Sequence, residues 1–261
     1  MSTATYALRD STTMLRRYLL RARRYPLIMY LIGVPVVMLL LFVYVFGGTL
    51  GDGIAAGGGR EVYANYVTPG ILLLAIAGVA QGTAIGVAQD MSEGIIARFR
   101  TMAIFRPSVL TGHVLGNLVQ MLLALAVVIG VAIAVGFRPT ANVVQWLAAA
   151  GLLTLISLAI TWFGVACGLV AKSIESASNL PMPLILLPFM GSGFVPTDSM
   201  PGPVAWFAQY QPFTPMMETL RGLLLGGPIG GNAVGAVAWG VGITVCCYLW
   251  AKRLYRRDPV R

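Results

Sequence analysis

Charge, lysine, histidine and cysteine are all scarce in this 261-residue chain, and each scarcity removes a class of function. Charged residues make up 10% of it, against roughly a quarter of a soluble domain. The two lysines, Lys172 and Lys252, leave no G-x-x-x-x-G-K-[ST] loop. The nearest approach, Ala171-Lys172-Ser173, lacks the glycine that lets backbone amides close on a phosphate, so the chain does not hydrolyse ATP alone. There is no H-E-x-x-H, G-x-S-x-G or Cys/His cluster, which excludes the common metalloenzyme and hydrolase designs. Cys167, Cys246 and Cys247 lie inside apolar runs, where they read as small apolar fillers and neither as a disulfide framework nor as a metal site.

What is abundant is apolar sequence: the mean hydropathy is +0.81. Six runs are candidate membrane spans: Leu27–Phe46, Gly70–Ala88, Val109–Gly136, Gln145–Val170, Leu180–Val195 and Asn232–Trp250. Most are about 20 residues, the length a helix needs to cross the hydrocarbon; the fifth is short unless it bends. Basic residues alternate across these runs. Arg9, Arg16, Arg17, Arg21, Arg23 and Arg24 precede the first, and Arg98, Arg100 and Arg106 follow the second. Lys172 follows the fourth, and Lys252, Arg253, Arg256, Arg257 and Arg261 follow the sixth. The other loops carry only Arg60, Arg138 and Arg221. The positive-inside rule then places both termini in the cytoplasm. The net charge of +9 is a topology signal and an attraction to anionic lipid, not a nucleic-acid footprint.

The run interiors hold almost no ionisable group. His113, near the cytoplasmic end of the third, is the lone candidate and reads as a hydrogen-bonding helix-start residue. Proton- and ion-coupled carriers need groups that change charge at mid-membrane. Here the interior offers Gln81, Thr83, Asn117, Gln120, Thr154, Ser157, Thr161, Asn179, Ser192 and Thr244. Any transport must therefore draw energy from a partner, and the cargo is expected to be lipophilic.

Between the runs, four stretches are informative. Arg16-Arg17-Tyr18-Leu19-Leu20 looks like a twin-arginine signal, but the following run is too long for a signal core, so the first span is expected to stay as an anchor. On a helical wheel Leu8, Met14, Leu15, Tyr18, Leu19 and Ala22 share one arc opposite the arginines, predicting an interfacial amphipathic helix. Gly47–Pro69 is glycine-rich and reads as a flexible external connection. Asp90-Met91-Ser92-Glu93-Gly94 carries helix-start signals, after which Ile95, Ile96, Phe99, Met102 and Ala103 form an apolar face until Pro107. The fifth run contains Pro181, Pro183 and Pro188 and then Gly191-Ser192-Gly193, so it should be kinked or broken. Its sequel, from Pro196 to Gly227, has the aromatic content of a segment dipping into the outer interface. Glu218 and Arg221 there are spaced to pair on one helix face.

Two stretches carry a family resemblance. The first is Ser92-Glu93-Gly94-Ile95-Ile96-Ala97-Arg98-Phe99-Arg100 with Arg106-Pro107-Ser108-Val109-Leu110-Thr111-Gly112-His113. The second is Phe194-Val195-Pro196-Thr197-Asp198-Ser199-Met200-Pro201 with Gln211-Pro212-Phe213-Thr214-Pro215 and Glu218, Arg221-Gly222-Leu223. Together they resemble the ABC-2 transporter membrane subunits, in particular the daunorubicin/doxorubicin-resistance exporter permeases. Ala103 departs from the family's frequent proline. The resemblance implies an all-α polytopic fold of the type V exporter-like kind, with six transmembrane helices in residues 27–250. A cytoplasmic arm with an interfacial helix (1–26) and a basic cytoplasmic tail (251–261) would flank it. It implies a coupling helix at about 90–106 that docks on a separate ATPase through Glu93, Ile95, Arg98, Phe99, Arg100 and Met102, with a smaller contact at Lys172–Ser176. It implies an outer re-entrant segment at about 196–227, including Pro212, Pro215, Glu218 and Arg221. A substrate path would run along a dimer axis past Leu74, Gly78, Gln81 and Ile85, and past Met182, Leu186, Phe189, Met190 and Phe194. Gly78, Gly82 and Gly86 also suit close helix approach.

The expected protein is the permease subunit of an ATP-driven exporter in a bacterial cell membrane, a homodimer bound to two ATPase copies and in contact with lipid. It would bind no cofactor of its own, since ATP and magnesium belong to the ATPase, and it would bind no nucleic acid. A lipophilic drug, antibiotic or lipid is the expected cargo. A polysaccharide or glycolipid exporter, an ATPase-independent carrier or channel, and a scaffold are the rival readings.

Overall fold

The computed structural model describes residues 27–54, 58–93 and 108–256, and among them every regular element is helical. The amphipathic arm (1–26), the predicted coupling-helix residues 94–107 and the end of the tail (257–261) lie outside the described residues. Among the described residues, five helical stretches are long and apolar enough to cross a membrane: Met29–Ile54, Gly59–Ser92, Val114–Val135, Val143–Val170 and Asn232–Tyr255.

The first is helix α1 (Leu27–Leu41), a π turn (Phe42–Phe46) and helix α2 (Gly47–Ile54) in continuous succession. Helix α3 (Gly59–Ser92) follows at once and is 34 residues long. The flexible connection expected over Gly47–Pro69 is therefore mostly helix. Its glycines serve a tight reversal between two packed helices. A Cβ on Gly51 would lie 2.0 Å from the Gly59 carbonyl oxygen, so only glycine fits there. Gly59 turns the chain with φ +53°, a conformation open to glycine without a Cβ penalty, and its N–H donates to Asp52 Oδ1 at 3.3 Å. The first turns of α3 bury Tyr63, Ala64, Val67, Thr68 and Pro69.

Helix α3 is the hub. It packs against α1, α2, α4 (Ser108–Val135), α5 (Val143–Val170) and the short helices that follow α5. In its middle it lies close against α5: a Cβ on Gly164 would lie 2.6 Å from the Ala80 oxygen, and one on Gly168 2.7 Å from the Ala84 oxygen. Lipid tails are as apolar as leucine, so membrane helices associate by such close van der Waals packing rather than by hydrophobic exclusion. The close-packing role suggested for the α3 glycines moves to α5, since Gly78 and Gly86 have nothing within 4 Å of where a Cβ would stand. Asn117 Nδ2 on α4 donates to Thr83 Oγ1 at 2.7 Å, a buried polar cross-link to the same face of α3. Helix α5 starts at a capping box in which Asn142 and Gln145 each hold the other's backbone N–H.

The fifth apolar run, Leu180–Val195, does not form one helix. Helix α6 (Ile174–Asn179), helix α7 (Met182–Leu186) and a 3-10 turn (Leu187–Met190) succeed one another, and irregular chain follows to Val195. This is the break its prolines predict, because each proline removes a backbone donor and clashes with the preceding turn. Helices α8 (Gly202–Tyr210) and α9 (Phe213–Leu225) then form the segment expected to dip inward, and α9 ends on Gly226 in the left-handed region. Helix α10 (Asn232–Arg256) continues past Trp250, so the first basic residues of the tail extend a membrane helix.

Gly164→Val is expected to lower stability in detergent by about 1–3 kcal/mol by overpacking α5 against the α3 backbone. Gly78→Ala should be neutral or stabilising by up to about 1 kcal/mol, since it gains helix propensity in open space. Thermal unfolding of the two variants checks this, and the reverse order would remove α5 as the close-packing partner.

Candidate transport path and coupling surfaces

Helix α3 is buried on most of its circumference, but Gly78, Gln81, Gly82, Ile85, Gly86 and Gln89 are half-exposed. Their spacing of three and four residues makes one continuous stripe along the helix. Three of the four residues expected on the path from α3, namely Gly78, Gln81 and Ile85, lie on this stripe. Leu74 is buried. Gln81 Nε2 donates to Ser178 Oγ at 2.9 Å and to the Ser178 carbonyl at 3.1 Å, tying the stripe to α6. The resemblance pointed to Gln81, but nothing in the sequence pointed to Ser178.

The broken run packs on α3 through α6, α7 and the 3-10 turn. Met182, Leu186, Phe189 and Met190 are exposed along it, whereas Phe194 is buried. Phe194 sits between two rings. Its centroid lies 4.8 Å from Phe189 in a stacked pair and 4.8 Å from Phe42 in a tilted one. Phe194 therefore acts as the packed support that holds Phe189, which is 40% exposed, in one orientation. Flexible methionines beside a fixed ring give an apolar surface able to accommodate varied shapes.

The break leaves backbone carbonyls without helical partners, and in hydrocarbon each unpaired one costs several kcal/mol. Side chains from outside the run meet them. Ser192 O accepts from Tyr66 Oη at 2.7 Å and from Arg221 Nη2 at 2.8 Å. Phe194 O accepts from Tyr63 Oη at 3.4 Å. Leu187 O, where α-helical bonding gives way to the 3-10 turn, accepts from buried Gln211 Nε2 at 3.2 Å. Arg221 also donates to Tyr66 O at 3.2 Å, stacks 4.0 Å above the Tyr66 ring and pairs with Glu218, as their spacing predicts. Pro212 stands at the N-cap of α9, and buried Pro215 lies in its first turn, where a missing N–H costs nothing. The tyrosines went unseen because they fall in the stretch read as a loop. Their i, i+3 spacing was the available signal.

Glycine allows the run to reach this position. A Cβ on Gly70 would lie 2.7 Å from the Gly193 oxygen, and one on Gly191 would lie 2.4 Å from Gln211 Nε2. Backbone thus meets backbone between α3 and the break.

On the face expected to couple to an ATPase, Asp90 is a buried residue inside α3 and Glu93 is its exposed C-cap, the Glu93 N–H bonding Gln89 O at 2.9 Å. The helix-start signal read at Asp90 is instead a helix end, because the long apolar repeat of α3 carries the helix through it. Ile95, Arg98, Phe99, Arg100 and Met102 lie outside the described residues, as does the side chain of His113. The smaller expected contact is exposed from Lys172 to Glu175. There Ser173 caps α6 by accepting from the Ser176 N–H at 3.1 Å.

Among the described residues, five helical stretches are of membrane-spanning length and one further apolar run is interrupted. Residues 10–225 match the ABC-2 type transporter family, and the chain belongs to it. It is 27% identical over 243 residues to the daunorubicin resistance ABC transporter permease protein DrrB1 of Streptomyces coeruleorubidus, covering 92% of this chain and 81% of that one. It is 26% identical over 174 residues to the probable doxorubicin resistance ABC transporter permease protein DrrC of Mycobacterium tuberculosis (strain CDC 1551 / Oshkosh), covering 67% of this chain and 63% of that one. The chain is a multi-pass membrane protein of this transporter family, with drug-resistance permeases among its relatives.

Gly70→Ala should push the broken run off α3, at a cost of about 1–3 kcal/mol. Hydrogen exchange of the amides in residues 187–194 should speed up in this variant. Unchanged exchange would show that the two backbones need no such approach.

Proposed function

We propose that this chain is the permease subunit of an ATP-driven exporter of lipophilic compounds, and that it acts as a homodimer carrying two copies of a separate ATPase. Residues 10–225 match the family, and relatives are named for resistance to daunorubicin and doxorubicin. The observation that carries the cargo class is the exposed face of Met182, Leu186, Phe189 and Met190 on a broken crossing beside the half-open stripe of α3. It offers apolar, adaptable surface and two polar side chains, Gln81 and Gln89. Such a lining suits a lipophilic ligand recognised mostly by shape and burial.

In this reading both termini are cytoplasmic and the membrane is the bacterial plasma membrane. The segment over 94–107 seats on the ATPase through Ile95, Phe99 and Met102, with Glu93, Arg98 and Arg100 orienting it by charge-assisted contacts. The exposed Lys172–Glu175 stretch adds a second contact. Closure of the ATPase pair on ATP shifts the population from an inward-open to an outward-open arrangement, because the two arrangements bind the ATPase states differently. The permease performs no covalent step. It supplies two affinities for the cargo, and the ATPase sets their order.

Co-purification with a cognate ATPase in lipid, followed by ATP turnover against a panel of lipophilic drugs, lipids and glycolipids, tests this. Drug stimulation that disappears with Phe99→Asp is expected. Failure of the ATPase to bind, or stimulation by glycolipids alone, would overturn the reading. Phe189→Ala and Met190→Ala should reorder drug preference while leaving ATPase assembly intact. Lost assembly with an unchanged drug order would make these two residues structural.

A further inference from the structure

Gly191, Ser192 and Gly193 open the irregular end of the broken run, and the residue between the two glycines is held fast. Ser192 O takes two donors, Tyr66 Oη from α3 and Arg221 Nη2 from α9. Arg221 makes further contacts in the same knot through its two terminal nitrogens, while its buried Nε has no hydrogen-bond partner. It bonds Tyr66 O, lies over the Tyr66 ring and pairs with Glu218. One planar guanidinium thus joins the hub helix, the hinge and the outer helical pair. At the other end of that pair Gln211 holds Leu187 O, and Thr214 Oγ1 holds Ala208 O, so α8 and α9 are fixed to each other as well. Hinges are a few loop or element-terminal residues, often small ones, that absorb backbone rotation. The turn at Gly191–Gly193 is such a place, and Arg221 is bonded to its middle residue.

We propose that Arg221 is a positioning residue for transport. It clamps the Gly191–Gly193 hinge so that movement of α3 carries the break and the outer helices α8 and α9 with it, opening the outer end of the path. This rests on the transport reading above. Lysine cannot substitute, since an ammonium is a point donor without the fork that spans three acceptors or the flat face that stacks on Tyr66.

The test uses the full chain with its ATPase in lipid vesicles, with Cys167, Cys246 and Cys247 replaced by alanine and spin labels at Glu61→Cys on α3 and Gln209→Cys on α8. In the parent the label–label distance distribution should be narrow and shift as one population on ATP binding. In Arg221→Lys it should broaden, and ATP-driven doxorubicin uptake into inverted vesicles should lose about tenfold in maximal rate with its half-saturating concentration unchanged. Tyr66→Phe removes one donor to Ser192 O and keeps the ring, so it should give a smaller loss even if Arg221→Lys folds poorly. The double variant should be no worse than Arg221→Lys. An Arg221→Lys distribution as narrow as the parent's, or a Tyr66→Phe loss that simply adds to it, would overturn the clamp. Absence of uptake by the parent would sink the transport reading instead, while the distance distributions still judge the clamp.

Discussion

A backbone carbonyl inside a membrane has no water to fall back on, and the organisation of this chain follows from where it breaks a crossing and leaves such carbonyls behind. Prolines at 181, 183 and 188 interrupt the fifth apolar run, and side chains must make up what the helix no longer supplies. Gln211 meets Leu187 O, Tyr66 and Arg221 meet Ser192 O, and Tyr63 meets Phe194 O. These partners come from α3 and from the outer helices, so the break is stable only while all three regions are in place. The outer segment is consequently part of the fold's support as well as a cover for it.

A second constraint is distance. Backbone meets backbone where α3 touches the break, and glycine makes that possible at Gly70 and Gly193, while Gly191 leaves room for the Gln211 side chain. The same means brings α5 onto α3 through Gly164 and Gly168. Helix α3 is thereby held along much of its length, while its Gly78–Gln89 stripe stays half-open. The packed contacts of this hub resist deformation.

Much of this could be read from residues alone. The six apolar runs were visible, and four correspond to long helices within a few residues at most ends. The second began eleven residues early because its first turns, including Tyr63 and Tyr66, look like loop when glycine content is the guide. The break in the fifth run was legible from proline and glycine, and the Glu218–Arg221 pair from its i, i+3 spacing. Asp90 misled because an acidic residue followed by a small polar one serves equally at a helix start or a helix end. Which it is depends on how far the preceding helix runs. Gly78 and Gly86 misled for a related reason: spacing puts them on one face without saying whether another helix lies against it.

Hydrophobic length and proline position determined by themselves that this chain is a multi-span membrane protein with one interrupted apolar run. These are properties of single segments set against a bilayer, with no need of a neighbour. The partners of the interruption were decided only by tertiary structure. Tyr63, Tyr66, Gln211 and Arg221 lie up to 155 residues from the atoms they bond, and a hydrogen bond across that separation exists only once the helices between have packed. The open edge of α3 arose in the same way, as the part of the helix that its neighbours do not cover.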